Sequence, residues 1–353
     1  METQQGAPVT KRKVRRRTAQ ELDTARAWML RNARPLDMAR WQYHFAYDWS
    51  TNDADRRIKS DADRRSANHI RQRVHDAAKE SALSVLATYQ NPDGGFGHAL
   101  EADCWSPYST PIQTCCAVEL LCELRVENAN NPIIQGILRY LDSGQDFVDN
   151  KWLGTVPGNN DYPHAQWWTW RPDTIPDDNP TATLAAFAVR FAQKDSPLYQ
   201  KALLITKEIA DAFLQNPTIT DGHLLLCYLR MYTFCSTGNT IDHFDSSAFY
   251  QKLTGHIADF CQTAKPDWCC DGVLRQFINA YYGKIPALVS RERREELAVY
   301  LSESMQPDGT WAIPWHWQEY PEQWAVTQNW WRAHGVISNL MLWDTLTSSL
   351  HMW

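Results

Sequence analysis

The sequence lacks several features that would place it in a common protein class. It has no apolar run of the roughly eighteen residues that a membrane-spanning helix needs, so we expect no membrane span. No hydrophobic segment follows the basic N terminus, which argues against a secretory signal. The glycine-rich motifs of nucleotide-binding folds and the G-x-S-x-G motif of α/β-hydrolases are absent. We therefore expect no nucleotide-dependent or α/β-hydrolase chemistry, and the sequence indicates no cofactor.

Cysteine is present, but not in a pattern typical of metal binding or disulfides. The nine cysteines are an odd number, and none of them forms a C-x-x-C pair. The adjacent pairs Cys115-Cys116 and Cys269-Cys270 do not have the spacing of structural zinc ligands. In the absence of a secretory signal, we expect reduced thiols that fill small core sites of a cytoplasmic protein.

Outside the N terminus, acidic residues outnumber basic ones. The net charge is −6 even though residues 1–20 are strongly basic, so the rest of the chain is acidic. An acidic body argues against a nucleic-acid partner, because the phosphate backbone selects basic surfaces. The basic run suits a nuclear address or a tether to an anionic surface. We favour the simpler alternative, a disordered, solvated tail over residues 1–20.

Helical periodicity is the main pattern that is present. Apolar residues recur at helical spacing, and no strand-like alternation exceeds four residues. This predicts an all-α fold, with an N-terminal helical extension over residues 21–74, which carries a charged insertion, and a main domain over 75–353. The helices predicted in the main domain cover residues 77–89, 112–125, 181–193, 197–214, 222–234, 247–261, 291–305 and 333–346, and one more begins at Asn131-Pro132.

A short motif occurs near both ends of the main domain. Residues 90–96 (QNPDGGF) and 306–311 (QPDGTW) share a Gln, an Asp-Gly step and an aromatic residue, with one residue more in the first copy. Each copy follows a predicted helix that ends at the Gln. The Asp-Gly step favours a tight turn in which Gly takes a positive φ. We expect the aromatic ring to plug the turn and the Gln amide to bond backbone groups at the helix end.

These two motifs resemble the QW repeats of terpenoid cyclases and of protein prenyltransferase β subunits, and residues 92–121 are similar to one repeat of that family. The resemblance covers roughly residues 75–350 and is specific at the two turns. It implies a single (α/α)6 toroid of helical hairpins around a central apolar cavity. It also implies that a hydrophobic isoprenoid or polyene substrate is cyclised or rearranged in that aromatic-lined cavity.

Cyclases of this family that start by protonation carry the motif D-x-D-D-T-A. Residues 175–182 (IPDDNPTA) resemble it, and Asp177 and Asp178 match its last two acids. The first acid is missing and two residues are inserted before Thr-Ala, so the match is incomplete. The resemblance implies that Asp177 or Asp178 protonates the substrate. The alternative is that these residues only cap a helix N terminus.

Prenyltransferases of the family hold zinc with an Asp-x-Cys pair and a later His that begins a helix. Asp267, Cys269 and His334 have the matching residue types, and three ligands with an open position would suit catalytic zinc. The alternative is a loop carboxylate, a core thiol and a His at a helix start. Because only residue types match, we assign no metal.

Three further clusters contain candidate catalytic or binding side chains. The loop after the first motif carries His98 and Glu101, which suit acid–base catalysis, followed by Asp103 and Trp105. The other two clusters combine polar groups with some of the seventeen tryptophans, whose indole faces stabilise carbocations or stack on sugar rings. These clusters contain Asp161, His164, Trp167, Trp168 and Trp170 in one, and Trp315, His316, Trp330 and Trp331 in the other, with His334 close behind.

The leading prediction is a terpenoid-cyclase-like enzyme that uses Asp177, Asp178, His98 and Glu101 as catalytic groups, with the remaining residues of the three clusters binding the substrate. A variant without a dedicated acid works by holding a reactive conformer. One alternative is a carbohydrate-active toroid, a hydrolase or lyase, with an acid pair such as Glu101 and Asp161. Another is a non-catalytic toroid that binds a lipid or a protein. The sequence leaves the substrate and the oligomeric state open.

Overall fold

The computed structural model of the chain describes residues 14–51, 61–216, 218–238, 240–280 and 288–350. Their side chains are described apart from those of residues 47–51, 61–66 and 268–270. Most of the predicted basic tail lies outside the described residues, as does the first part of the charged insertion. Residues 61–73, the rest of that insertion, belong to a helix.

The described part of the chain is almost entirely helical, which confirms the predicted all-α class. Two strands of two residues each, β1 (Phe147–Val148) and β2 (Lys151–Trp152), pair antiparallel. Within the described ranges, no helix is both long and apolar enough to cross a bilayer. The α-helices are α1 (Ala19–Asn32), α2 (Pro35–Thr51), α3 (Asp61–Ala87), α4 (Pro111–Glu123), α5 (Pro132–Asp142), α6 (Asp178–Phe191), α7 (Pro197–Gln215), α8 (Gly222–Thr237), α9 (Ser246–Thr263), α10 (Val273–Ala280), α11 (Arg291–Ser304) and α12 (Pro321–Leu350).

Several helices begin where the sequence predicts. Asn131 caps α5 by accepting a hydrogen bond from the Ile133 N–H, and Ser196 caps α7 by accepting one from Tyr199. In both helices Pro occupies the first turn, where its missing N–H costs nothing. Two helices begin well before the predicted residue, α3 by sixteen residues and α12 by twelve. His334 therefore lies inside a helix, and the expectation that it begins one is wrong.

Both copies of the repeated motif form the predicted turn. Gly94 and Gly309 have φ values of +95° and +86°, which only Gly adopts without strain. The Gln90 amide donates to backbone oxygens of Gly94 and of the first turn of α5. Trp311 is buried, and its Nε1 donates to the Leu301 carbonyl oxygen at 3.1 Å. The Gln90 amide thus makes the expected bonds to backbone, whereas the Gln306 oxygen accepts from the Thr310 hydroxyl and the Arg332 guanidinium.

The even-numbered helices contact one another in chain order. α4 packs on α6, α6 on α8, α8 on α10, α10 on α12, and α12 on α2. An ion pair of 2.9 Å between Arg40 and Glu123 joins α2 to α4. The odd-numbered helices α3, α5, α7, α9 and α11 each pack on an even-numbered neighbour.

One hydrophobic core extends through this arrangement from α1 to α12. Trp28 and Trp41 of the two N-terminal helices are buried in the same cluster as Phe187, Phe277 and Trp343. The helices of the predicted N-terminal extension therefore share their core with the rest of the chain.

Candidate functional site

The site is built around the loop of residues 97–105, here called the acid loop, which connects the first turn to α4. The Leu100 N–H donates to the Gln113 side chain of α4 at 3.0 Å. The other side of the loop pairs with residues 163–165: Trp105 N–H donates to the Pro163 oxygen, and Ala165 N–H donates to the Asp103 oxygen, both at 2.9 Å. The acid loop is therefore held from two sides by backbone and side-chain bonds.

Asp103 is buried in this loop with a side chain that two tryptophans clamp. Its Oδ1 accepts hydrogen bonds from Trp317 Nε1 at 2.8 Å and Trp331 Nε1 at 2.7 Å. Only 2% of the residue is exposed. The two donors belong to α12 and to the loop before it, more than two hundred residues further along the chain.

Glu101 lies beside Asp103 and forms an acid pair with it. Its Oε1 accepts the Asp103 backbone N–H at 3.2 Å, and its Oε2 accepts the Cys116 thiol at 3.4 Å. Burial raises the pKa of Glu101. Burial and the neighbouring Glu101 raise the pKa of Asp103 to about 7, against the two indole bonds that favour its charged form. The acid pair therefore holds a proton up to neutral pH.

Predicted tryptophans surround the acid pair. Trp105 stacks on Trp330 with ring centroids 5.3 Å apart, and its Nε1 donates to Thr327 Oγ1 at 2.9 Å. Trp315 meets Trp331 edge to face at 5.1 Å. The structure thus brings together Glu101, Asp103 and four of the predicted tryptophans, which come from three separate stretches of sequence.

His164 has a supporting position next to the acid loop. Its Nδ1 lies 2.6 Å from the Tyr162 carbonyl oxygen, which only accepts, so Nδ1 carries the proton. Nε2 then accepts from Thr169 Oγ1 at 3.1 Å. With both nitrogens occupied, His164 holds residues 162–169 in place. The backbone oxygens of Trp168 and Trp170 in the same segment accept bonds from asparagine side chains.

Other predicted site residues lie at the surface. His98 is exposed and its Nε2 bonds Asn91 Oδ1 at 2.9 Å, within the first turn. Asp161, Trp167 and His316 are exposed as well. The described hydrogen bonds do not connect any of these four side chains to the acid pair.

Asp177 and Asp178 lie at the N terminus of α6. Asp177 caps the helix by accepting from the Asn179 N–H at 2.8 Å. Desolvation raises its pKa, yet the residue is exposed, so water reaches this carboxyl. Asp178 forms an ion pair of 2.9 Å with Lys151 and accepts the Tyr228 hydroxyl at 2.7 Å. These contacts are those expected for helix capping.

A second polar group lies further inside, along one face of α4. Glu123 bonds Arg40 and His44 at 2.9 Å and Arg275 at 3.5 Å. Burial opposes its charge, but the cationic neighbours outweigh that effect and hold the pKa of Glu123 well below its usual value. One turn earlier, Glu119 pairs with Arg230 at 2.8 Å.

The same network reaches α12 through His334. Arg40 can only donate, so His334 Nδ1 accepts its bond of 3.2 Å and Nε2 carries the proton. Burial, Arg40 and Arg275 lower the pKa of His334 to about 3, which keeps the ring neutral. His334 Nε2 is buried and has no hydrogen-bond partner in the structure.

The three residues that match the zinc ligands of prenyltransferases by type are only partly described. Asp267 is exposed, His334 faces the Arg40 guanidinium, and the Cys269 side chain lies outside the described residues. Among the side chains that are described, no group of three His, Cys, Asp or Glu residues is arranged to hold a metal ion.

Three side chains of the acid loop and α4 are reached by water and still have a shifted pKa. Glu101 and Cys116 are partly exposed and Cys122 is exposed, yet burial raises the pKa of all three, that of Cys122 to about 11. These groups therefore contact water but are surrounded closely enough by protein to lose part of their hydration.

Part of this polar region could be predicted from the sequence. Cys116, Glu119 and Glu123 are spaced three and four residues apart, so they share one face of the otherwise apolar α4. Arg40, Arg230 and Arg275 come from three other helices, and no spacing rule connects them. Trp317 as a partner of Asp103 likewise had no local signal.

Comparison with known proteins gives no match for this arrangement or for the chain. No family model, no curated protein and no solved structure matches the chain. The chemistry of the site is therefore inferred from its own residues.

Proposed function

We propose that the chain is an acid–base enzyme that acts on a polar, hydroxylated substrate such as a sugar, with Glu101 and Asp103 as its catalytic pair. The observation that carries the proposal is the buried pair itself, because Asp103 has a pKa of about 7. A general acid works best when its pKa lies near the working pH. Strongly shifted carboxyl groups beside a cavity are typical of catalytic sites.

The predicted (α/α)6 toroid is part of this proposal. The contacts of α2, α4, α6, α8, α10 and α12 in chain order, and of α12 with α2, support a closed inner ring. The twelve α-helices of the described residues supply the six inner and six outer helices that such a toroid needs. In this proposal the partly hydrated side chains of α4 and the acid loop line the central cavity of the ring, with the acid pair at its mouth.

The charged side chains that the proposal assigns to this cavity favour a polar substrate. Arg40, Arg230, Arg275, Glu119 and Glu123 form ion pairs there. A hydrocarbon that filled the space would remove water from these charges and offer no hydrogen bonds in return, which is costly. Hydroxyl groups of a sugar replace the lost water, and the tryptophans at the mouth offer faces for its apolar ring surface.

In the proposed reaction the protonated acid pair donates its proton to the leaving oxygen of the substrate. Water adds to the carbon from which that oxygen departs, and the proton that water releases returns to the pair. The indole N–H groups of Trp317 and Trp331 stabilise the carboxylate that forms on Asp103 in between. The overall step is a hydrolysis in which the pair is restored.

The experiment is a turnover assay with a panel of aryl glycosides and oligosaccharides, read by mass spectrometry. We expect Asp103→Asn to lower turnover by about 10²- to 10⁴-fold, the usual contribution of a general acid. Asp173→Asn, at an exposed loop position, is the matched control and should keep wild-type turnover. Absence of turnover on the whole panel, or full activity of Asp103→Asn, would refute the proposal.

Cyclisation of a polyene is a second candidate function, favoured by the tryptophans around the site, since indole faces stabilise carbocations. Asp178 would then be the acid suggested by the resemblance, and it is only partly exposed. A polyene such as squalene in the same assay, with Asp178→Asn as the test variant, separates this candidate from the first.

We keep the cytoplasm as the compartment for either function, because the adjacent free thiols Cys115 and Cys116 suit a reducing environment.

A further inference from the structure

Arg275 has hydrogen-bonding capacity that the protein does not use. The residue is 5% exposed, and its Nε is buried without a partner. Its Nη2 lies 3.5 Å from Glu123, and its Nη1 contacts the Met341 sulfur at 3.8 Å. Arg40, by comparison, makes two bonds of 2.9 Å to the same carboxylate. Buried guanidinium groups normally have all their donors bonded, so Arg275 lacks an oxygen partner.

The ion pairs around Arg275 also leave its positive charge only partly compensated. Glu123 is shared by Arg40, His44 and Arg275, so it does not neutralise Arg275 alone. Burial and Arg40 lower the pKa of Arg275. In the described network four guanidinium groups face three carboxylates and neutral histidines. These groups are Arg34, Arg40, Arg230 and Arg275 on one side and Asp37, Glu119 and Glu123 on the other.

Arg275 lies close to the other charged groups that face α4. Its neighbour on α10, Gln276, accepts a bond of 2.8 Å from Arg230. Arg230 in turn pairs with Glu119, whose side chain is 37% exposed on the face of α4 that carries Cys122. Arg275 contacts Glu123 directly and Glu119 is one turn away on the same helix, so Arg275 lies at the charged face of α4.

We propose that the central cavity of the proposed ring binds a carboxylate group of the substrate, with Arg275 as its principal donor. The inference rests on the proposed function and narrows its substrate class to acidic sugars. The planar guanidinium fork fits the two oxygens of a carboxylate, which would give Arg275 the oxygen partner that it lacks.

The test is calorimetric titration of the full chain with sodium glucuronate, with glucose and inorganic phosphate as comparisons. We expect saturable binding of glucuronate, weaker binding of phosphate, and about a 10- to 100-fold loss of glucuronate affinity in Arg275→Met. The control Arg291→Met removes an exposed guanidinium and should change nothing. Ligand-free Arg275→Met should melt at or above the wild-type temperature, because Glu123 keeps Arg40 and His44.

Several outcomes would overturn the inference. They are no glucuronate binding by the wild type, tighter binding of phosphate, an unchanged affinity in Arg275→Met, or failure of that variant to fold, which would make Arg275 a structural residue. The proposed function fails separately. If Asp103→Asn binds glucuronate normally and Asp103 proves unnecessary for turnover, the carboxylate site stands without the proposed acid.

Discussion

The two acidic pairs of the chain, Glu101 with Asp103 and Asp177 with Asp178, differ in what surrounds them. Asp103 is buried, and its carboxylate receives two indole N–H bonds. Asp177 is exposed at a helix start, and Asp178 pairs with Lys151. The pair that resembles a known acid motif therefore has the contacts of a helix cap, while the other pair is buried deeply enough to raise the pKa of Asp103 to about 7. Burial and neighbouring charge, more than spacing along the chain, distinguish the two.

The largest expected difference between the pairs is in the pH dependence of stability. The pKa of Asp103 is raised from 3.8 to about 7, so the folded state prefers its protonated form. The stability it contributes is fully present below about pH 4 and is lost as pH rises to 7. The size of this loss is roughly 4 kcal/mol. Urea unfolding of wild type and Asp103→Asn between pH 4 and 8 measures it.

In that experiment Asp103→Asn should lose this part of the pH dependence, because the amide does not titrate. Asp173→Asn, which changes an exposed carboxyl, serves as the control. If the free energy of unfolding changed equally with pH in wild type and Asp103→Asn, the contrast between the two acidic pairs would be wrong.

A smaller effect is expected from the indole bonds. Trp331→Phe removes one donor to the Asp103 carboxylate, so the pKa of Asp103 should rise further. At pH 8, where the carboxylate is charged, the variant should lose about 1.5–3 kcal/mol of stability. The loss should be smaller at pH 5, where Asp103 is protonated. Chemical denaturation at both pH values tests this, and Trp330→Phe, whose ring stacks on Trp105, is the control for lost ring area.

The smallest effect is expected at the second pair. Lys151→Ala removes a partly exposed ion pair with Asp178, and such pairs contribute about 0–1 kcal/mol. Thermal denaturation in low and high salt measures the change. A loss above 2 kcal/mol would show that the Asp177–Asp178 region is more than a helix cap.

Much of the fold follows from local sequence signals. Asn131 and Ser196 before Pro mark the starts of α5 and α7, and the Asp-Gly steps place Gly94 and Gly309 in the turns. These features depend on residues a few positions apart, so they are readable without the structure. The length of α12 was underestimated, because its first turns carry exposed polar residues and tryptophans in place of an apolar stripe.

The site was predicted only in part, because its bonds join distant segments. Glu101, Asp103 and the nearby tryptophans were candidates by residue type. The bond from Trp317 to Asp103 spans 214 positions, and that from Arg40 to His334 spans 294. Only the packing of helices brings such groups together. The predicted apolar cavity and its polyene substrate rested on resemblance, whereas the charged face of α4 became apparent from the ion pairs.

The most direct test of this account is the ionisation of Asp103 itself. The protein is labelled with ¹³C at the aspartate carboxyl carbons, and the Asp103 signal is identified by its loss in Asp103→Asn. Titration by NMR should give a midpoint near pH 7 for this carbon, because burial and Glu101 favour the protonated form. A midpoint near pH 4 would show an ordinary carboxylate and would contradict the acid–base role assigned to the pair.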